Sequence, residues 1–124
     1  MHIVRTSVDG YTVTQGETLT SVLVVITNNH KGTAIVVDAD GCYIGVVSDG
    51  DIRRALLKGA TEFTPVEKLV NVSALSASMT DDDAALLELF AQHPGVMLVP
   101  LIGEGNIVQG VAFVDHRSLE AHTA

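Results

Sequence analysis

The feature that most restricts the fold is an internal repeat. The stretch from Ala34 to Val47 matches the stretch from Val99 to Ala112 at an offset of 65. Each copy reads as an apolar strand, an acidic-glycine turn at Asp40–Gly41 or Glu104–Gly105, and a second apolar strand, the pattern of an antiparallel hairpin. Upstream of each hairpin lies a helical segment, Thr18–Asn29 in the first copy and Asp81–Gln92 in the second, related by an offset of 63 and ending at His30 and His93. In the second, Thr80 is placed to cap, Asp81, Asp82 and Asp83 suit the positive end of the helix dipole, and Ala85, Leu86, Leu89 and Phe90 form a stripe. The first carries strand-like β-branching from Ser21 to Thr27. Its correspondence with the second, with Gly32 and Gly95 at matching ends, assigns it to helix.

A further helix follows each hairpin, Asp49–Leu57 ending at Gly59 and a shorter one near Asp115–Ala121. Each copy is therefore β-α-β-β-α, with residues 60–65 as connector and Thr64–Pro65 setting up a helical turn at Val66–Leu69. A unit of this size cannot bury its sheet face alone. The expectation is an α+β fold in which copies 1–62 and 63–124 pack sheet to sheet as one pseudo-two-fold domain.

Composition narrows the function. With no Trp, three Phe and two Tyr against 47% hydrophobic residues, the core is built from Val, Leu, Ile and Ala, and 18% charged residues is low enough to imply apolar surface for a partner. The breadth of the apolar run from Val22 to Ile26 points the same way, toward a homodimer. A net charge of −8 with only seven Lys and Arg opposes nucleic-acid binding. No run of apolar residues is long enough to span a bilayer and the sequence opens on no signal-peptide pattern, so a soluble cytoplasmic chain without membrane partners is expected. The lone Cys42 reads as an ordinary strand residue in a reducing compartment. The five His show no metal-ligand spacing, and three successive Asp at a helix start diverge in direction, so no metal site is expected.

Chemistry concentrates at residues 45–57, where the strand Gly45–Val47 hands Ser48, Asp49, Asp51, Arg53 and Arg54 to the start of a helix. The free N–H groups and dipole of a helix N-terminus suit an anion, and a carboxylate beside them accepts hydrogen bonds from ribose hydroxyls. The same residues also form a capping box, Ser48 at the N-cap and an acidic residue three positions later. Consecutive helical residues point about 100° apart, so one of the two Arg faces a ligand. Ser48 has neither a local base nor a nucleophile elbow around it, which argues against catalysis.

The repeat and the run from Gly45 to Ile52 resemble a tandem pair of cystathionine-β-synthase-type (CBS) domains, a Bateman module, whose hallmark is Gly-apolar-apolar-Ser/Thr-x-x-Asp. The resemblance covers nearly the whole chain. It implies a non-catalytic regulatory module that requires no cofactor and senses AMP, ADP, ATP, S-adenosylmethionine or a related adenosyl compound. It also implies dimerisation through helices and a possible regulated enzyme domain as partner. Ser48 and Asp51 carry over as phosphate and ribose contacts, while Val13, Thr14, Thr33, Ala34 and Ile35 would form the adenine slot; apart from the resemblance, either Arg53 or Arg54 could clamp a phosphate, and Arg53 is the one expected in the site. In the second copy the positions of Ser48 and Asp51 are Phe113 and His116, which offer no such chemistry, so at most one hallmark-type site per chain is expected. The alternative is a ligand-free dimerisation module. The run Asp49 to Leu56 further resembles CBS pairs attached to sugar-phosphate nucleotidyltransferases and isomerases.

Overall fold

The computed structural model describes residues 2–115. Seven strands form two sheets. Strands β2 (Thr12–Thr14), β3 (Thr33–Val37) and β4 (Tyr43–Ser48) make one, and β1 (His2–Thr6), β5 (Ala77–Ser78), β6 (Val99–Ile102) and β7 (Val108–Asp115) make the other in the order β1-β7-β6-β5. In each copy a short strand pairs parallel with the first hairpin strand, and the hairpin strands pair antiparallel. The repeat extends to the irregularities. The register shifts between Val36 and Val37 in one hairpin and between Leu101 and Ile102, the matching residues, in the other.

Helix α1 (Leu19–Asn29) forms despite its β-branched content because Leu19, Val22 and Ile26 recur at helical spacing and bury against the first sheet. The Thr18 side chain accepts no capping hydrogen bond. Instead the connector closes the helix, with Leu19 N–H donating to Thr64 O at 2.9 Å and Thr20 N–H to Glu62 O at 3.2 Å. At the other end His30, where the helix was expected to end, is the left-handed C-cap with φ 59°, its N–H donating to Ile26 O at 3.1 Å. Helix α2 (Asp49–Leu57) buries Ile52 in the same core. Helix α3 (Asp83–Gln92) buries Leu86 and Phe90 in the second copy's core, and its cap corrects the sequence reading. Asp82, not Thr80, is the N-cap, accepting from Ala85 N–H at 2.9 Å, while Thr80 turns back to Ser78. The turn expected at Val66–Leu69 is a 3-10 turn over Val66–Lys68. Of the helix expected near Asp115–Ala121, Asp115 is the last residue of a strand, and the rest, with His122, lies outside the described residues.

A third apolar cluster joins the sheets: Ile35 and Val37 from β3 meet Leu98, Val108 and Val111 from the second copy. The two hairpin turns also meet on the pseudo-two-fold, where Cys42 and Ile107, again one repeat apart, form an isolated bridge and Val108 N–H donates to Gly41 O at 3.1 Å. Pro100 lacks an N–H and so suits an edge strand or a strand start. It is fully buried within β6, an inner strand, and is tolerated because β5 pairs only with Leu101 and Ile102 and stops short of it. Among the described residues no helix is long and apolar enough to cross a membrane.

The N-terminal strand crosses over. β1 pairs antiparallel with β7 of the second copy along five residues, and in the first copy the segment after the 3-10 turn runs beside β4. There Asn71 N–H donates to Val46 O at 2.8 Å and Val46 N–H to Asn71 O at 3.1 Å. This crossing explains Gly45: a Cβ there would lie 2.4 Å from Asn71 O and 2.8 Å from Val70 Cγ2. Its partner in the repeat, Gly110, lies under the end of β1, with Thr6 O 3.4 Å from a Cβ. Gly45→Ala is expected to cost about 1–3 kcal/mol through forced backbone movement. Gly95→Ala, where an added Cβ meets nothing within 4 Å, is expected to cost under about 0.5 kcal/mol. Urea unfolding of the two variants checks this, and equal costs would refute the close-approach account.

Candidate functional site

Strand β4 ends where its backbone turns out of the sheet at Ser48, which has extended dihedrals and caps α2. The capping box is complete. Ser48 Oγ accepts from Asp51 N–H at 3.2 Å, and Asp51 Oδ2 accepts from Ser48 N–H at 2.9 Å and from the Ser48 hydroxyl at 3.0 Å. The remaining carboxylate oxygen, Oδ1, accepts from Arg54 Nη2 at 2.8 Å. Asp51 is thus a half-buried anion whose orientation is set by three donors before any ligand arrives.

These groups line a cleft of about 380 Å³, within the range of small-molecule sites. One wall is Thr33, Val46, Ser48, Asp51 and Arg54; the linker residues Asn71, Ser73, Ala74 and Leu75 form a second; His93 and Gly95–Leu98, between α3 and β6, form the third. Both copies therefore build it. The linker is held over the site partly by Tyr43, whose hydroxyl reaches toward Ala74 O at 3.5 Å and is pushed above the ordinary phenol pKa by burial. A larger cleft of about 590 Å³, lined mainly by Leu87, Phe90, Ala91, Pro94, Val96, Met97 and Val114, is more apolar and has only Lys31 and Glu88 as charged groups. It lacks the hydroxyl, carboxylate and guanidinium convergence of the smaller one.

Of the residues expected to bind, the structure brings Thr33, Ser48 and Asp51 to the cleft wall. It does not bring the others. Val13 and Ala34 are buried in the core beneath α1, and Ile35 is fully buried between the sheets. Strand β3 is apolar on both faces, and its unbroken run from Ala34 to Val37 was the signal for that double burial. Thr14 is exposed at the end of β2 and is not among the cleft residues. Arg53 is also exposed outside the cleft; Arg54 is the residue that enters it. The spacing carried that information, because residues three apart share a helix face and Arg54 lies three after Asp51. The wall at 93–98 was legible only through packing, although Leu98 is the repeat partner of Thr33.

The matching place in the second copy is built differently. β7 continues without turning, pairing Phe113 with Val4, Val114 with Ile3 and Asp115 with His2, so no helix cap forms at Phe113. The Lys31 ammonium sits 3.9 Å from the Phe113 ring centroid in a cation–π contact. The three Asp near α3 are likewise occupied. Asp81 accepts from Ser78 N–H, Asp82 caps the helix and Asp83 pairs with Arg5 at 2.9 Å. Among the described residues no group of three or more His, Cys, Asp or Glu is placed to hold a metal ion.

Comparison with known proteins agrees with this architecture. Residues 3–58 match the family described as CBS domain. A Helicobacter pylori (strain J99) protein without an assigned function is 34% identical over 100 residues, covering 79% of this chain and 30% of that protein, so the chain spans under a third of that relative's length. A CBS domain pair/ACT domain protein from Thermotoga maritima superposes with a TM-score of 0.74 at 22% identity, covering 95% of this chain and 92% of the other. The cytosolic domain of the Mg2+ channel MgtE, solved in complex with ATP, superposes with a TM-score of 0.67 at 24% identity, covering 90% of this chain and 45% of that one. Residues 3–58 therefore carry a CBS domain, and the two copies together have the fold of the CBS domain pair on which they superpose.

Proposed function

We propose that this chain is a non-catalytic regulatory module that binds one adenine nucleotide in the cleft at Ser48, Asp51 and Arg54. The observation that carries the reading is the convergence there of a prepositioned carboxylate, a hydroxyl at a helix N-cap and a guanidinium, in a cleft of about 380 Å³. Ribose hydroxyls complement the carboxylate, and a phosphate complements the guanidinium and the helix end. The ATP complex of the MgtE domain is consistent with this choice of ligand. An aromatic ring held within β7 at Phe113, where the first copy has the Ser48 hydroxyl at a helix cap, supports a single site per chain.

Because the cleft has walls from both copies and from the linker, an occupant ties the copies together and favours one of their relative placements. A regulated enzyme domain, in the same protein or another, would read that placement. A homodimer fits the surface of α1, where Leu23 and Val24 are 42% and 54% exposed while Val22 and Ile26 face the core. The second reading, a ligand-free dimerisation module, rests on that same apolar face.

Three outcomes are expected. AMP, ADP or ATP raises the melting temperature of the wild-type chain, since a ligand at 100 times its Kd stabilises by about 2.7 kcal/mol; no shift with any adenine nucleotide at millimolar concentration favours the dimerisation module. Asp51→Ala weakens nucleotide binding about 10- to 100-fold in calorimetric titration, the worth of hydrogen bonds to a charged group. It also loses about 1–2 kcal/mol of stability with the capping box, whereas unchanged affinity refutes the site. Leu23→Glu combined with Val24→Glu shifts a wild-type dimer to monomer in light scattering by raising its Kd roughly 100-fold or more; a wild-type monomer refutes the dimer.

A further inference from the structure

The larger cleft is an apolar groove along α3, from Leu87 to Pro94, and is lined further by Val96, Met97 and Val114. It has a volume of about 590 Å³, and Met97 beside it is 55% exposed. Apolar surface gathered in one groove favours an occupant that takes it out of water. Val96 and Met97 also line the smaller cleft, so one short segment between α3 and β6 is a wall of both.

The first copy covers its corresponding surface with its own chain. Ile52 of α2 is buried with Val22 and Ile26 of α1, and Val25, which the helix offset of 63 matches to the groove residue Glu88, packs against the same core. Ile52 stands four residues after Ser48, where β4 ends. β7 ends at Asp115, two residues beyond Phe113, the match of Ser48. The delay has a packing reason. Asp49 leaves β4 with its Oδ2 2.8 Å from where a Cβ on Gly32 would stand, and at the hairpin offset of 65 that position is Met97. Four residues after Asp115 comes Leu119, the one large apolar side chain in residues 116–124. The chain needs no connection to reach the groove, because Val114 is already in its wall. The nine residues after Asp115 span about 13 Å even at the helical rise, against roughly 6 Å from Leu87 to Ala91 along α3. Charge agrees as well: the groove carries Glu88 and Lys31, and the segment carries Arg117 and Glu120, one charge of each sign on either side.

We propose that the groove along α3 is the docking site of residues 116–124, with Leu119 seated there as Ile52 is seated in the first copy. The docked segment bears on Val96 and Met97 from the groove, and a ligand in the smaller cleft meets the same two residues from the other side. Residues 116–124 are thereby the part of the chain that registers occupancy of the cleft. The docking stands without the nucleotide reading above; its coupling to a ligand rests on that reading.

The test is NMR of the full chain with labelled Leu and Val methyls, as wild type, Leu119→Met and Leu119→Asp. Wild type and Leu119→Met are expected to show nuclear Overhauser contacts from residue 119 to Leu87 and Phe90. Leu119→Asp is expected to lose them and to shift the amides of Val96 and Met97, while those of α2 stay in place and report an intact fold. Absence of the contacts in wild type overturns the proposal, as do contacts seen only between differently labelled chains, which assign the groove to a second copy. Unmoved Val96 and Met97 amides in Leu119→Asp overturn the shared wall. AMP added to wild type is expected to shift Leu119 together with Val96 and Met97. Shifts at Ser48 and Asp51 that do not reach Leu119 overturn the coupling and leave the nucleotide reading standing. No shift at any residue overturns that reading and the coupling with it, and the Leu119 contacts alone then decide the docking.

Discussion

The packing of one sheet against the other is the contact on which the rest of the molecule depends. Each copy buries its helices on one face of its sheet and leaves the other face apolar, and only the partner copy can cover it. Ile35 and Val37 on one side and Leu98, Val108 and Val111 on the other form that contact. Thr33 and Leu98, related by the repeat, sit at its margin, and both line the cleft. The cleft is thus the edge of the inter-sheet core, where the apolar contact ends and polar groups from both copies face each other.

Pseudo-symmetry would give two such edges, and the sequence breaks it at a few positions. In the first copy Ser48 turns the chain out of the sheet and into a capped helix, exposing donors and a carboxylate. In the second, Phe113 keeps the chain in the sheet, paired with Val4, and takes a cation–π contact from Lys31. Hydroxyl versus aromatic ring at matching positions decides where a polar ligand can be met. The N-terminal strand contributes to the difference: β1 adds a five-residue ladder to the second sheet, while the corresponding linker touches β4 at a single bridge and leaves the cleft open beside it.

Much of this was legible in the sequence because it is local or repeated. Turn glycines, helix stripes and the offset of 65 located both hairpins and the helices, including α1, whose composition alone reads as strand. The capping box at Ser48 and Asp51 was legible for the same reason, since its partners are three residues apart. What was not legible is long-range. Nothing local tells β1 to cross to the other sheet or brings the backbone at Asn71 over Gly45, and residues 93–98 become a cleft wall only through sheet packing. Ile35 and Val13 were assigned to a ligand slot from their place in the repeat, but core burial claims them. The choice between Arg53 and Arg54 turned on helix phase relative to Asp51.

The proposed function requires that one cleft, walled by both copies, take one adenine nucleotide per chain. An amide-resolved NMR titration of the wild-type chain with AMP tests it most directly, because it reports stoichiometry and position together. Saturation is expected at one ligand per chain, with the largest shifts at Ser48–Arg54 and His93–Leu98 together and little change at Lys31 or Phe113. Shifts confined to one copy, shifts centred on Lys31 and Phe113, or no saturable shift at all would contradict it.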